Sequence, residues 1–139
     1  MVSKHSIFVD ADIILDVLLK REHLYEASSD VLGLAEKKEV VLKTSVLSYG
    51  VIFYFVKKGL SMPEFLKRMK HLRSIVGVLP SNEEAVDFAL YSGFSDLEDA
   101  MQNQIAESNG LRTIITRNKR DFKKSNLAIL TPEEFLATL

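Results

Sequence analysis

The 139-residue chain contains no cysteine, and it lacks long apolar segments. Without cysteine, neither disulfide bonds nor thiolate metal sites are possible, and this composition is typical of proteins in a reducing cytosol. The uncharged run at 45–56 is too short to span a bilayer as a helix. Acids also interrupt the N-terminal apolar stretch, which excludes a secretory signal pattern there. We therefore expect a cytoplasmic protein, without a membrane segment, that forms the single domain 1–139.

An excess of positive charge is also missing, because the formal net charge is −1. The chain as a whole therefore has no general attraction for nucleic acid. Local basic clusters, "KRMKHLR" at 67–73 and "RNKRDFKK" at 117–124, would have to provide it. Both clusters also have an ordinary explanation as solvated surface.

What the sequence does contain is an alternation of short apolar runs with segments of helical periodicity. This pattern predicts an α/β fold with a largely parallel sheet. Patterns of the type S/T-x-x-E mark four helix starts, at Ser61, Ser81, Ser95 and Thr131. The segment 47–57 is apolar on nearly all sides, so we expect it to be deeply packed. Strands are predicted at 7–9, 40–42, 76–78, 113–116 and 128–130, and further helices at 12–19, 25–38 and 63–72.

Three carboxylates interrupt the first apolar element, "IFVDADIILDVLL". Asp10 follows the first predicted strand, and ligands of parallel sheets bind beyond the carboxyl ends of the strands. Asp12 and Asp16 are four residues apart, so on a helix their like charges repel unless a positive group lies near. Asp16 is either such a cation-binding group or a solvated helix residue.

Two further segments combine acids with a strand end or a helix start. In "SDLEDAMQ", Asp96 and Glu98 are explained by the first turn of a helix, where negative charge is favourable. Asp99 precedes an apolar segment and needs a partner if it is buried. In "IITRNKRDF", Asn118 and Asp121 either form local turn hydrogen bonds or lie at the ligand edge of the sheet.

Taken together, Asp10, Asp99 and Asp121 are predicted at one edge of one parallel sheet. Carboxylates clustered without histidine or cysteine suit Mg²⁺ or Mn²⁺, which prefer oxygen ligands. The sequence also satisfies the Asp-x-Asp pattern of haloacid-dehalogenase-type phosphohydrolases. In that alternative, Asp10 would be the nucleophile and Asp12 the general acid.

The three motifs "IFVDADIILDVLL", "DLEDAMQ" and "TRNKRDF", in this order, resemble the PIN domain family, and especially its small bacterial VapC-like members. The resemblance implies a three-layer α/β/α fold around a mainly parallel five-stranded sheet. It also implies Mg²⁺- or Mn²⁺-dependent hydrolysis of RNA. Carried over by motif, Asp10, Asp99 and Asp121 would be catalytic and metal-binding, with Asp96 as an auxiliary metal-binding carboxylate.

The resemblance implies supporting residues and partners as well. Asp12, Asn118, Thr116 and Ser45 would support the site, with Thr116 or Ser45 orienting a water or a phosphate. Small PIN proteins of this kind are often toxins that pair with an antitoxin protein and form homodimers. Residues predicted to bind RNA are Arg117, Lys119 and Arg120.

One departure from the family pattern concerns the helix after the second strand. PIN nucleases generally carry a glutamate there, and the corresponding position here is Val51. No acid occurs between Glu39 and Glu64. The sequence therefore leaves a second hypothesis open, in which the chain is a degenerate PIN domain that binds RNA or protein without cutting.

Overall fold

A computed structural model describes residues 5–139 and contains one five-stranded sheet. All its paired strands run parallel, in the order β3-β2-β1-β4-β5, which confirms the predicted sheet. The predicted strand positions hold to within two residues at each end. The strands are β1 Ser6–Val9, β2 Val41–Thr44, β3 Val76–Val78, β4 Thr113–Ile115 and β5 Ala128–Leu130.

Helices cover both faces of this sheet, as a three-layer α/β/α fold requires. Helices α1 to α4 and α7 pack over one apolar core, and α5 and α6 pack over the other. The bounds are α1 Ala11–Leu18, α2 Tyr25–Glu36, α3 Val46–Val56, α4 Met62–Ile75, α5 Glu83–Tyr91, α6 Leu97–Ser108, α7 Pro132–Leu136, and a 3₁₀ turn at Lys119–Phe122.

The central strand β1 shows how the two cores are separated. Ile7 and Val9 belong to the core on one face, and Phe8 belongs to the core on the other. Successive side chains of a strand point to opposite faces, and a parallel sheet covered on both faces is apolar throughout. The short apolar runs of the sequence are therefore buried parallel strands, and each ends at the same edge.

Two of the four predicted helix caps are confirmed. Ser61 accepts a hydrogen bond from the backbone N–H of Glu64 at 3.3 Å and caps α4. Thr131 and Glu134 form the complete reciprocal capping box of α7. These side chains satisfy amides that the first helical turn leaves without partners.

The other two predicted caps are wrong by one residue. Asn82 caps α5 in place of Ser81, and Asp96 caps α6 in place of Ser95. Asn and Asp cap helices at least as well as Ser, so the neighbouring residue replaces it at both ends. At α6, the Asp96 carboxylate accepts a hydrogen bond from the backbone N–H of Asp99 at 2.9 Å.

The prediction that α3 is deeply packed is wrong for one of its sides. Tyr49 and Ile52 are buried, but Val46 and Tyr54 are 63% and 64% exposed. A helix on one face of a sheet covers only part of its circumference, and apolar composition does not tell which part stays exposed. The fold thus leaves an apolar surface on α3. Within residues 5–139, no helix combines the length and the apolar character needed to cross a membrane.

Candidate metal centre

Polar side chains from three chain segments meet at the carboxyl edge of the sheet. Asp10 directly follows β1, and Thr116 directly follows the adjacent strand β4. The Thr116 hydroxyl donates a hydrogen bond to the Asp10 carboxylate at 2.8 Å. Asp99 arrives from the first turn of α6, which begins at this edge because helices of such folds run antiparallel to the strands.

The tightest group consists of Asp96, Asp99 and Asp121. Each offers a carboxylate oxygen, and these atoms all lie within 4.8 Å of one another. Asn118 bridges two of the acids, because its amide donates to Asp99 at 2.9 Å and to Asp121 at 2.6 Å. Asp10 lies outside this group of three, but its charge acts on Asp99.

Burial and mutual repulsion both disfavour the charged forms of these acids. Burial, together with the charges of Asp10, Asp96 and Asp121, raises the pKa of Asp99 to about 8. Burial also raises the pKa of Asp10 to about 6, against the opposing effect of the Thr116 hydrogen bond. Such shifts indicate a site where negative charge has accumulated without compensation.

Basic side chains do not compensate this charge. Across residues 5–139, no lysine, arginine or histidine nitrogen lies within 4.0 Å of the carboxylates of Asp10, Asp96, Asp99 or Asp121. A divalent cation would supply the missing positive charge. The donors are all oxygens, carboxylates above all, which is the set that Mg²⁺ and Mn²⁺ prefer, so the residues present fit such an ion.

Asp16 does not belong to this centre, although it is fully buried. The Arg117 guanidinium binds its carboxylate with two nitrogens, one of them at 2.7 Å. Ser28 donates a hydrogen bond at 2.6 Å, and Arg21 lies 3.5 Å away. The structure therefore decides between the two alternatives for Asp16: its carboxylate is not solvated but binds a positive side chain, as the buried half of an ion pair with Arg117.

The three basic residues predicted to bind RNA differ in their surroundings. Arg117 is engaged with Asp16, and the Lys119 ammonium lies 2.8 Å from the Glu134 carboxylate. Arg120 makes no ion pair among the residues that the structure describes. It lines a pocket beside Asp121, together with Lys123 and Lys124 of the basic cluster at 117–124. Their position next to the acids follows from the 3₁₀ turn at Lys119–Phe122, where the sequence allowed a local turn between Asn118 and Asp121.

Two predicted supporting residues, Ser45 and Asp12, differ in burial. Ser45 is fully buried, caps α3 and donates its hydroxyl to the Gln102 side chain. Gln102 in turn donates to Ser48 at 3.0 Å, so both serines serve the junction of α3 with α6. Asp12 is exposed, and its charge raises the pKa of Asp10.

Glu98 is the acid that sequence reasoning set aside as a helix-start residue. Burial raises the pKa of Glu98, and the charges of Asp96 and Asp12 raise it further. Its side chain lines a groove between α3 and α6 that Val51 also lines. Val51 stands where the family generally carries a glutamate. It therefore borders the same groove as Glu98, an acid of another helix.

Together, the fold and the centre define the class: an α/β/α protein with a carboxylate centre at the carboxyl edge of a parallel sheet. The family model described as "PIN domain" matches residues 6–120. The chain belongs to the PIN domain family. This assignment takes the place of the haloacid-dehalogenase alternative, in which Asp10 and Asp12 formed the Asp-x-Asp pattern.

Individual relatives agree with the family. The chain is 25% identical over 140 residues to "Ribonuclease VapC1" of Aquifex aeolicus (strain VF5), covering 96% of this chain and 94% of that protein. A structure of VapBC2 from Rickettsia felis bound to a promoter DNA fragment superimposes with a TM-score of 0.68 at 13% identity, covering 91% of this chain and 98% of that one. A toxin-antitoxin complex from Klebsiella pneumoniae gives a TM-score of 0.65 at 18% identity, with 91% and 97% covered. At these identities, the two structures show the shared fold.

Proposed function

We propose that the protein is a ribonuclease that depends on Mg²⁺ or Mn²⁺ and hydrolyses RNA phosphodiesters. The observation that carries the proposal is the group of Asp96, Asp99 and Asp121, within 4.8 Å of one another and without a basic partner in the described chain. The name of the Aquifex relative, a ribonuclease, supports the choice of RNA.

In this proposal, Asp10, Asp99 and Asp121 hold the ion and Asp96 assists them. A divalent ion in such a cage activates water and stabilises the negative charge of a phosphoryl transition state. Asn118 keeps the Asp99 and Asp121 carboxylates side by side through its two hydrogen bonds.

One of the supporting residues, Thr116, holds the first acid, and the others act on the centre in different ways. The Thr116 hydroxyl donates to Asp10 and accepts from the backbone N–H of Asn118 at 3.0 Å, so it links the two strands that border the centre. Asp12, one residue after the β1 end, adds negative charge at the open side of the centre. Ser45 acts at a distance, by fixing Gln102 between α3 and α6.

RNA phosphates need positive charge beside the acidic centre, because affinity for nucleic acid comes largely from lysine and arginine. Arg120 is the best placed of the three predicted residues, since it borders Asp121 without an ion pair in the described chain. Lys119 is exposed and can exchange Glu134 for a phosphate at small cost. Arg117 would have to leave the buried Asp16, so we assign it the weakest RNA contact.

We further propose that the protein is a cytoplasmic toxin that pairs with an antitoxin and forms homodimers. The Klebsiella structure is a toxin-antitoxin complex by its description, and it shares this fold. The exposed side of α3, with Val46, Tyr54 and Phe55, supplies an apolar surface of the kind that protein partners cover.

One observation favours a second candidate, a PIN domain that binds RNA or protein without cutting. Helix α3 carries no acid, and Val51 faces a groove beside the centre. Without an acid from α3, the affinity for a divalent ion falls unless another residue replaces it.

Cleavage of a mixed pool of structured and unstructured RNA, in Mg²⁺ and then in Mn²⁺, tests the proposal. We expect metal-dependent cleavage, and each of Asp10→Asn and Asp99→Asn should reduce its rate about hundredfold or more. Loss of a group that only supports a metal ligand costs about ten- to hundredfold, and loss of a ligand should cost more. Asp87→Asn, an exposed acid of α5 away from the centre, is the matched control and should retain activity. Cleavage that is equal in all four proteins, or absent in the unmodified one, would contradict the ribonuclease and favour the binding module.

A further inference from the structure

We propose that the buried ion pair of Asp16 and Arg117 positions the metal centre, because it holds the segment 116–118 whose side chains bind the acids of that centre. Asp16 and Arg117 are then positioning residues, which act on the ion through their neighbours. The inference rests on the proposed function where it concerns metal binding, and on the geometry of the pair where it concerns the segment itself.

Three consecutive residues after β4 each bind an acid from another part of the chain. The contacts join Thr116 to Asp10 at 2.8 Å, Arg117 to Asp16 at 2.7 Å, and Asn118 to Asp99 and Asp121 at 2.9 Å and 2.6 Å. The first and the third of these residues touch the centre, and Arg117 lies between them. A displacement of the Arg117 backbone would displace both neighbours, because planar peptide units of fixed length join them.

The segment 116–118 lies between the end of β4 and the 3₁₀ turn, outside regular secondary structure. The Thr116 N–H donates to the Leu130 carbonyl at 2.9 Å, which continues the pairing of β4 with β5. The Asn118 N–H donates to the Thr116 hydroxyl at 3.0 Å, so this bond ties Asn118 to its own segment rather than to another element. The side chain of Arg117 connects the segment to α1.

Asp16 is a fixed anchor for Arg117. It is fully buried in α1, and Ser28 of α2, also fully buried, donates a hydrogen bond to it at 2.6 Å. The guanidinium of Arg117 binds it with two nitrogens, a fork that fixes direction as well as distance. Because α1 begins directly after Asp10, the helix that carries the anchor also starts at the first acid. The pair and the bond from Thr116 to Asp10 thus join the same two stretches of chain.

Two simpler explanations compete with positioning. In the first, the pair stabilises the fold without any effect on the centre. In the second, its charges act on the ion from a distance, so that loss of the Arg117 charge strengthens cation binding and loss of the Asp16 charge weakens it. Positioning predicts that both changes weaken it, because either one releases the segment.

Binding of Mn²⁺, measured from the electron paramagnetic resonance signal of the free ion, distinguishes these explanations. We expect Asp16→Asn and Arg117→Met each to weaken Mn²⁺ binding about ten- to hundredfold, as removal of a group that supports a metal ligand does. Arg117→Lys keeps the charge but lacks the fork, so it should weaken binding as well. It also takes the place of Arg117→Met if that variant does not fold.

Leu72→Ala is the control for lost stability. Leu72 is buried in α4, and the described contacts of the pair and of the centre come from other elements. Its truncation destabilises the core. Because distant sites act independently, Mn²⁺ binding should stay within about twofold of that of the unmodified chain. Equal losses of affinity in Leu72→Ala and Asp16→Asn would assign the effect to stability and overturn the inference.

Amide hydrogen exchange in EDTA reports on the segment without any metal. The Asn118 N–H should exchange about tenfold faster or more in Arg117→Lys, the factor that corresponds to one lost hydrogen bond to a charged group. The amide of Phe8, in the central strand β1, is the internal reference. In Leu72→Ala, the ratio of Asn118 exchange to Phe8 exchange should not rise, because that variant lowers stability without releasing the segment.

The outcomes separate this inference from the proposed function. Tighter Mn²⁺ binding by Arg117→Met, with weaker binding by Asp16→Asn, would show an effect of charge alone. Unchanged Mn²⁺ binding in the three variants of the pair would show a stabilising role alone, and either result overturns the inference. If the unmodified chain binds no Mn²⁺, the metal-dependent ribonuclease is overturned, and the exchange of Asn118 decides whether the pair holds the segment.

Discussion

Asp16 and Asp99 are two buried carboxylates with opposite surroundings. Asp16 is fully buried, and Arg117, Arg21 and Ser28 surround its oxygens. Asp99 is 7% exposed and faces other acids, which together with burial raise its pKa to about 8. Burying a carboxylate is costly unless a partner compensates its charge. Burial alone therefore does not distinguish Asp99 from Asp16; the missing counter-charge does.

The largest stability effect should come from removing the counter-charge of Asp16. Arg117→Met leaves a buried carboxylate without its main partner, and breaking a buried ion pair costs about 3–5 kcal/mol of unfolding free energy. Urea unfolding at neutral pH measures this loss. Lys119→Met, two residues along the chain, removes an exposed ion pair and should change little. If Arg117→Met kept full stability and lost only RNA affinity, Arg117 would be an RNA contact, and its stabilising role beside Asp16 would be contradicted.

The acidic centre should respond to metal as the Asp16 pair does not. Mn²⁺ at about 100 times its dissociation constant should raise the unfolding free energy by about 2.7 kcal/mol, because it binds the folded state only. EDTA should reverse the increase, and Asp99→Asn should abolish it. Asp87→Asn, as the matched control, should show the full increase, and a metal effect that survives Asp99→Asn would place the ion elsewhere.

Stability of the metal-free protein should fall as the pH rises from about 4 to about 8. The pKa values of Asp10 and Asp99 are raised to about 6 and about 8 in the folded state, above those of unfolded aspartate near 4. Over this window, the folded state holds protons that the unfolded chain has released, so each increase in pH favours unfolding. Melting temperatures in EDTA at pH 5 and pH 8 check the sign.

The same measurement on Asp99→Asn sharpens this prediction. The variant carries no titrating group at position 99, so the part of the decline between about pH 6 and pH 8 should disappear. A decline of equal steepness in the variant would assign the titration to other groups. Saturating Mn²⁺ should also remove the dependence in the unmodified chain, because the ion compensates the charge that the proton otherwise compensates.

The smallest effect is expected for Asp12, which is exposed at the side of the centre. Asp12→Asn should change the unfolding free energy by no more than about 0.5 kcal/mol, as exposed substitutions usually do. Its Mn²⁺ affinity should fall less than that of Asp99→Asn, because Asp12 adds charge near the ion without being buried around it. Calorimetric titration with Mn²⁺ compares the two, and an equal loss would make Asp12 a ligand.

Much of the fold could be predicted because its signals are local. Apolar runs at 7–9 and 113–116 mark buried strands. Because parallel strands end at the same edge of the sheet, Asp10 and Thr116 are expected there together. The prediction of Ser95 as the cap of α6 was wrong, because Asp96 is the cap. Adjacent residues compete for the same backbone amides, and the motif does not tell which of them binds. The exposed side of α3 could not be predicted for a different reason. A helix that is apolar on all sides carries no periodic signal that tells which side is covered.

The sequence by itself determined the order of strands and helices and the acids that follow a strand or begin a helix, because short-range periodicity and capping act between neighbours. Only the tertiary structure decided how each acid is compensated. Asp16 meets Arg117 across 101 positions of the chain, whereas Asp99 meets Asn118 and two further acids. Both are aspartates in helices, Asp16 in α1 and Asp99 in α6, and the local sequence does not predict their different surroundings. The difference arises because the electrostatic environment of a buried charge is set by side chains that folding brings close.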